Sequence, residues 1–151
     1  MDFAGGFGFS TSTEDYVEGH TPRHAFLLQN TLGWWPLPKQ QGHWIAMHLE
    51  YSPRLAFASV IFFTLSADTM QRAHVTSYKL SFTNTTNFHG YWFDMINPDT
   101  GGKVFRGLAS EEEEARISYF EPTMIHFMKL HPQTWTHHIA VRWSVVFCHR
   151  K

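Results

Sequence analysis

The stretch His138-Ile139-Ala140-Val141-Arg142-Trp143-Ser144-Val145-Val146-Phe147 decides the fold. Ile139, Val141, Trp143, Val145 and Phe147 recur at every second position, with His138, Arg142 and Ser144 opposite them. That period puts the apolar set on one face of an extended strand. The same alternation appears upstream in Ile45, Met47 and Leu49 and again in Tyr78, Leu80 and Phe82. Half-buried strands of this kind stack into sheets.

Between these segments lie turn formers: Pro36-Leu37-Pro38, Gln41-Gly42, Ser52-Pro53, Asn97-Pro98-Asp99-Thr100-Gly101-Gly102 and His131-Pro132. Turn signals at roughly ten-residue spacing imply about eight strands and a sandwich or barrel. The expected fold is therefore mostly β, a single antiparallel β-sandwich over 24–151, with jelly-roll and immunoglobulin-like strand orders both open. Residues 1–23 are rich in Gly, Ser, Thr and acids without periodicity and read as an extended N-terminal arm. The apolar run 55–65 reads as a buried strand or core helix, and is well short of the ~20 residues of a membrane span. Helix signals are confined to 54–72, with two turns expected after Ser66, and to Ser110-Glu111-Glu112-Glu113, which matches a capping box.

At 151 residues the chain has the size of one domain and enough length for a core without metals or disulfides. Aromatic residues make up 17% and charged residues only 17%, so part of the surface is expected to be covered by a partner. The net charge of −1, with Lys and Arg scattered singly, supplies no basic stripe for nucleic acid. The 11 His would make the protein cationic near pH 5 to 6. Cys148 is the single Cys, which excludes an intrachain disulfide and Cys-based zinc patterns, and fits a reducing compartment or a virion. Asn84-Thr85-Thr86 satisfies the glycosylation sequon, but the first residues lack the basic region of a secretory signal.

No pattern carries catalysis. His20 and His24 flank Thr21-Pro22, which disfavours a shared helix face, and His43 and His48 point to opposite faces of a strand, so neither a metal nor another cofactor is expected. There is no nucleophile elbow, and Glu111 to Glu114 form one solvated run rather than a spaced acid and base. Gly5-Gly6-Phe7-Gly8 lacks the Lys-Ser/Thr of a phosphate loop. The adjacent Trp34 and Trp35, held between Gly33 and Pro36, cannot both face the core of an extended segment, so at least one is expected to touch a partner, a ligand or a crossing loop.

Phe82-Thr83-Asn84-Thr85-Thr86, Tyr91-Trp92-Phe93-Asp94, Phe105-Arg106-Gly107-Leu108 and Ser118-Tyr119 together resemble the β domain of the von Hippel-Lindau tumour suppressor family. The resemblance covers under a third of the chain. It implies a sandwich with a peptide-facing edge at Trp92, Phe105, Ser118 and Tyr119. Phe105 stands where that family has Tyr, and Pro122 and Met124 where it has His and Trp, so hydroxyproline recognition is not carried over. The expected function is a non-enzymatic protein-interaction module, a structural or accessory subunit of a larger assembly such as a viral or phage particle. Its partners would be other protein subunits. The alternative is a carbohydrate- or small-ligand-binding sandwich that stacks sugars on Trp34, Trp35 or Trp92.

Overall fold

The computed structural model describes residues 2–4, 9–18, 21–22, 33–48, 57–66, 73–83, 88–108, 115–124 and 127–150. Its strands are β1 (Asp2–Ala4), β2 (Phe9–Thr11), β3 (Ile45–His48), β4 (Phe57–Ser66), β5 (His74–Thr83), β6 (Phe93–Asp94), β7 (Val104–Arg106), β8 (Ala115–Met124), β9 (Phe127–Thr136) and β10 (Arg142–Arg150). One sheet has the order β1-β10-β4-β8 and the other β2-β3-β9-β5-β6, with β7 also paired to β5. All strand pairings are antiparallel. The expected antiparallel β-sandwich is what the chain forms, with ten strands among the described residues rather than about eight. The difference lies in the short strands β1, β2, β6 and β7, which carry too few residues to show a period.

The alternating faces meet in one core. Ile45 and Met47 from β3, Val75, Tyr78 and Leu80 from β5, Met128 and Leu130 from β9, and Phe105 from β7 pack against Trp34, Ile139, Val141 and Trp143. Trp143 belongs to β10, so this cluster joins the two sheets. The deciding strand itself is shifted: β10 begins at Arg142, and Val141 instead forms an isolated bridge to Trp34. Residues 57–66, for which a core helix was the competing expectation, are strand β4 between β10 and β8. The turns expected after Ser66 and the capping box at 110–113 lie outside the described residues, as does Asn84.

Two of the segments read as an N-terminal arm join the sandwich. β1 pairs with β10 through Phe3↔Val146, and β2 pairs with β3 through Ser10↔Ala46. The segment after β2 is tied down too. Ser12 accepts from the Trp44 amide through its hydroxyl and shares a hydrogen bond with His43 Nδ1, while Val17 donates to the Trp35 carbonyl at 2.9 Å.

Candidate functional site

Strand alternation that sends one set of side chains into the core sends the other set onto the outer face of the six-stranded sheet. With Met128 and Leu130 inside, Lys129 and His131 point outward; with Tyr78 and Leu80 inside, Lys79 and Ser81 do; and Trp44 precedes the inward Ile45. The register lines up Ala46, Lys129, Ser81 and Asp94 as one row across β3, β9, β5 and β6. His131 sits opposite Lys79 in the next row.

Lys129 is the centre of this face. Its ammonium lies 4.0 Å from the Trp92 ring centroid, 4.3 Å from that of Trp44 and 5.1 Å from that of Phe88. Such cation–π contacts stabilise by about 0.5–2 kcal/mol each, more as water is excluded. The collar is closed by Phe88, whose ring packs edge-on against Trp92 at 5.2 Å and Phe127 at 5.4 Å, and by Trp92 Nε1, which donates to the Phe88 carbonyl at 2.8 Å. Partial burial lowers the Lys129 pKa from its ordinary value.

Next to it, Ser81 Oγ and His131 Nε2 share a hydrogen bond of 2.7 Å. Burial, then the Lys129 charge, push the His131 pKa down to about 4, with Asp94 opposing and Lys79 adding slightly. His131 is thus neutral in the native state where the unfolded chain already binds a proton. Its contribution to stability is complete above about pH 6.5 and is lost as pH falls toward 4, by about 3 kcal/mol. We expect the stability difference between the native protein and His131→Gln to shrink over that window in urea titrations. A difference that does not change between pH 7 and 4 would refute the assignment.

The edge strand β6 carries a second feature. Tyr91 and Phe93 meet edge to face at 4.7 Å, and they are 73% and 42% exposed. Phe93 also stacks on Phe82 at 5.5 Å, which roots the pair in the sandwich. Alternation puts Trp92, just before β6, and Asp94 on the opposite side, where Asp94 pairs with Lys103 at 3.0 Å. Both members of that ion pair are half exposed, so it contributes little to stability.

The residues singled out from the sequence are dispersed. Trp34 is 0% exposed in the inter-sheet core, and Trp35 is buried against Val17, Ala73 and Ala140 with its ring stacked on His138 at 5.0 Å. The Trp pair therefore faces two clusters inside the protein, with Trp34 bridged to Val141 and Pro36 to Tyr16 on either side of Trp35. Phe105 is also inside, stacked on Tyr78 at 5.5 Å. Ser118 and Tyr119 lie on β8 opposite Phe63 and Phe62, in the other sheet from β5 and β7. Of the six, Trp92 is the one placed in the aromatic and cationic cluster described above. Trp44, Phe88, Tyr91, Phe93 and Lys129 were missed. Their signal was there: Trp44 and Lys129 each adjoin core-facing positions, and three consecutive aromatics at 91–93 cannot all point inward. Among the described residues no group of three or more His, Cys, Asp or Glu could hold a metal ion.

The arrangement is that of a discoidin-like β-sandwich. The structure of recombinant discoidin II from Dictyostelium discoideum superposes with a TM-score of 0.76 at 18% identity, over 95% of this chain and 56% of that one. Chitosan-binding module 1 of the Paenibacillus sp. IK-5 chitosanase/glucanase gives 0.68 at 16% identity, over 95% and 96% of the two chains. The family 32 CBM of Clostridium perfringens NanJ, solved with galactose, gives 0.63 at 12% identity, over 91% and 92%. In sequence the chain is similar to neuropilin-1a of Danio rerio, 25% identical over 118 residues, which is 77% of this chain and 12% of that protein. It is also similar to coagulation factor VIII of Canis lupus familiaris, 28% identical over 74 residues, 49% of this chain and 3% of that one. The chain thus spans a small part of either relative. No protein-family model matches it. These similarities overturn the von Hippel-Lindau resemblance, whose anchors the fold scatters over a core strand, an edge loop and two different sheets. The similar solved structures named here include carbohydrate-binding modules and no viral or phage particle protein.

Proposed function

We propose that the chain is a carbohydrate-binding β-sandwich without catalytic activity of its own, with its ligand seated at the β6 edge. The observation that carries this is the exposed Tyr91–Phe93 pair, anchored from below by Phe82, with the Asp94–Lys103 ion pair on the other side of the same edge. Sugar rings offer flat C–H faces to aromatic rings and hydroxyls to flanking charged groups, and this edge supplies both. The similar modules bind chitosan or were solved with galactose, which is the same class of ligand. A glycan array followed by calorimetry on the best hit tests the reading. Tyr91→Ala is expected to weaken the hit at least tenfold, the loss typical of truncating an exposed anchor. An empty array, or an unchanged affinity in Tyr91→Ala, would count against it.

A protein ligand is the second reading. It is favoured by Ile96 and Val104, apolar residues 50% and 47% exposed near the same edge. A chain that self-associates at micromolar concentration, with Ile96→Ser restoring the monomer, would support it over the carbohydrate. Among the described residues no helix is long and apolar enough to cross a membrane.

A further inference from the structure

The outer face of the six-stranded sheet carries a diagonal row of cations. Lys129 on β9 stands two positions from His131, the partner of Lys79 on β5. Lys79 faces Val104 on β7, two positions from Arg106, which faces Ser77. Diagonal neighbours on one sheet face lie about 7–8 Å apart, so Lys129, Lys79 and Arg106 form a ladder across three strands. Among the described residues none of the three forms an ion pair, and the face's carboxylate, Asp94, is already held by Lys103. Hydroxyls fill the row beside them. A β-bulge in β5 turns Thr76 and Ser77 to the same side, and both hydroxyls reach Thr134 Oγ at 2.6 Å.

We propose that this face reads the acidic groups of a carbohydrate chain, with carboxylates or sulfates meeting Lys129, Lys79 and Arg106 while the same carbohydrate passes over the β6 edge to Tyr91 and Phe93, which hold a sugar ring on its other side. This rests on the carbohydrate reading above and specifies its ligand. Charge complementarity selects an acidic chain. Lys129 is the fixed point, because the rings of Trp92, Trp44 and Phe88 hold its ammonium in place without neutralising it. Lys79 and the exposed Arg106 extend the charge toward the open end of the face, among the Ser77 and Thr134 hydroxyls. Nucleic acid is disfavoured by a ladder this short, since its binding scales with the number of phosphates neutralised.

The test is calorimetry of the full chain with oligogalacturonate as a carboxylate probe, dextran sulfate as a sulfate probe, neutral galactan and dextran as their counterparts, and polyphosphate and polyglutamate as charge controls. One or both acidic saccharides are expected to bind at least tenfold tighter than the neutral ones, and the better of the two names the acid group. Lys79→Gln and Arg106→Gln should each cut the ratio of acidic to neutral affinity severalfold, with melting temperatures unchanged. If neutral saccharides bind as tightly as acidic ones, the proposal fails and the carbohydrate reading stands. If no saccharide binds, both fail. Equal binding of polyphosphate or polyglutamate would show bare charge attraction and overturn the proposal.

Discussion

Gly107→Ala is expected to destabilise the protein by about 3 kcal/mol, a drop of roughly 10 °C in melting temperature for a chain of this size. Gly107 follows β7 where the chain crosses the start of β5. Its amide donates to the Thr76 carbonyl at 2.8 Å, and the next amide, of Leu108, donates to the Val75 carbonyl at 3.0 Å. A methyl group here would stand 2.9 Å from the Val75 carbonyl carbon and 3.0 Å from that of Thr76, and would overlap the Val75 carbonyl oxygen. Those neighbours are backbone atoms of a central strand and cannot swing aside. The relief is for the 104–108 segment to lift off, which breaks both hydrogen bonds, parts Phe105 from Tyr78 and exposes the buried Leu108. Gly102→Ala is the control, since a methyl there meets only the Thr100 hydroxyl at 3.5 Å and should change stability by less than about 0.5 kcal/mol. Two thermal melts decide it, and equal small effects at both positions would contradict the close approach.

Three segments were legible because their faces differ in polarity, whereas β9 was not: His131-Pro132, read as a turn, lies inside that strand. Ile45 and Met47, then Tyr78, Leu80 and Phe82, then Ile139, Val141 and Trp143 all reach the core or pack on it, as their period of two requires. The short strands were not legible either. β6 and β7 are set by pairing with β5, a tertiary event that no run of two or three residues encodes. The site was less legible for a related reason. Aromatic residues were read as surplus for a partner, yet Trp34, Trp35 and Phe105 serve the two hydrophobic clusters and leave the surface to Trp92, Tyr91 and Phe93. Composition counts aromatic rings but not the direction they face. Lys129 was hidden because its role depends on Trp44 and Trp92, which lie far from it in sequence and come to it through sheet register and the 88–92 loop.

Trp34→Ala is expected to cost about 4 kcal/mol, enough to consume much of the 5–15 kcal/mol that holds a domain folded. With Trp143, Trp34 is the largest fully buried side chain among the described residues, and it is locked at both levels. Its backbone exchanges two hydrogen bonds of 3.0 Å with Val141, an approach permitted because Gly33 has no side chain to meet the Val141 backbone. Its ring fills the space among the β3, β5 and β9 side chains and Trp143, so alanine leaves a cavity that two paired sheets cannot collapse to fill. One detail separates this from simple loss of bulk. Trp34 Nε1 is buried and finds no hydrogen-bond acceptor among the described residues. An unsatisfied buried donor costs about 1–3 kcal/mol, so Trp34→Phe gives up that penalty together with part of the ring. We therefore expect Trp34→Phe to lose no more than about 1 kcal/mol while Trp34→Ala loses the full amount, measured as midpoints in urea with unchanged slope. The outer face should not notice: at temperatures where Trp34→Phe is folded, its affinity for the best saccharide should match the unsubstituted chain. An equal loss of stability in both variants would mean that the indole nitrogen is satisfied in solution. A loss of saccharide binding in folded Trp34→Phe would place Trp34 in the site instead of the core.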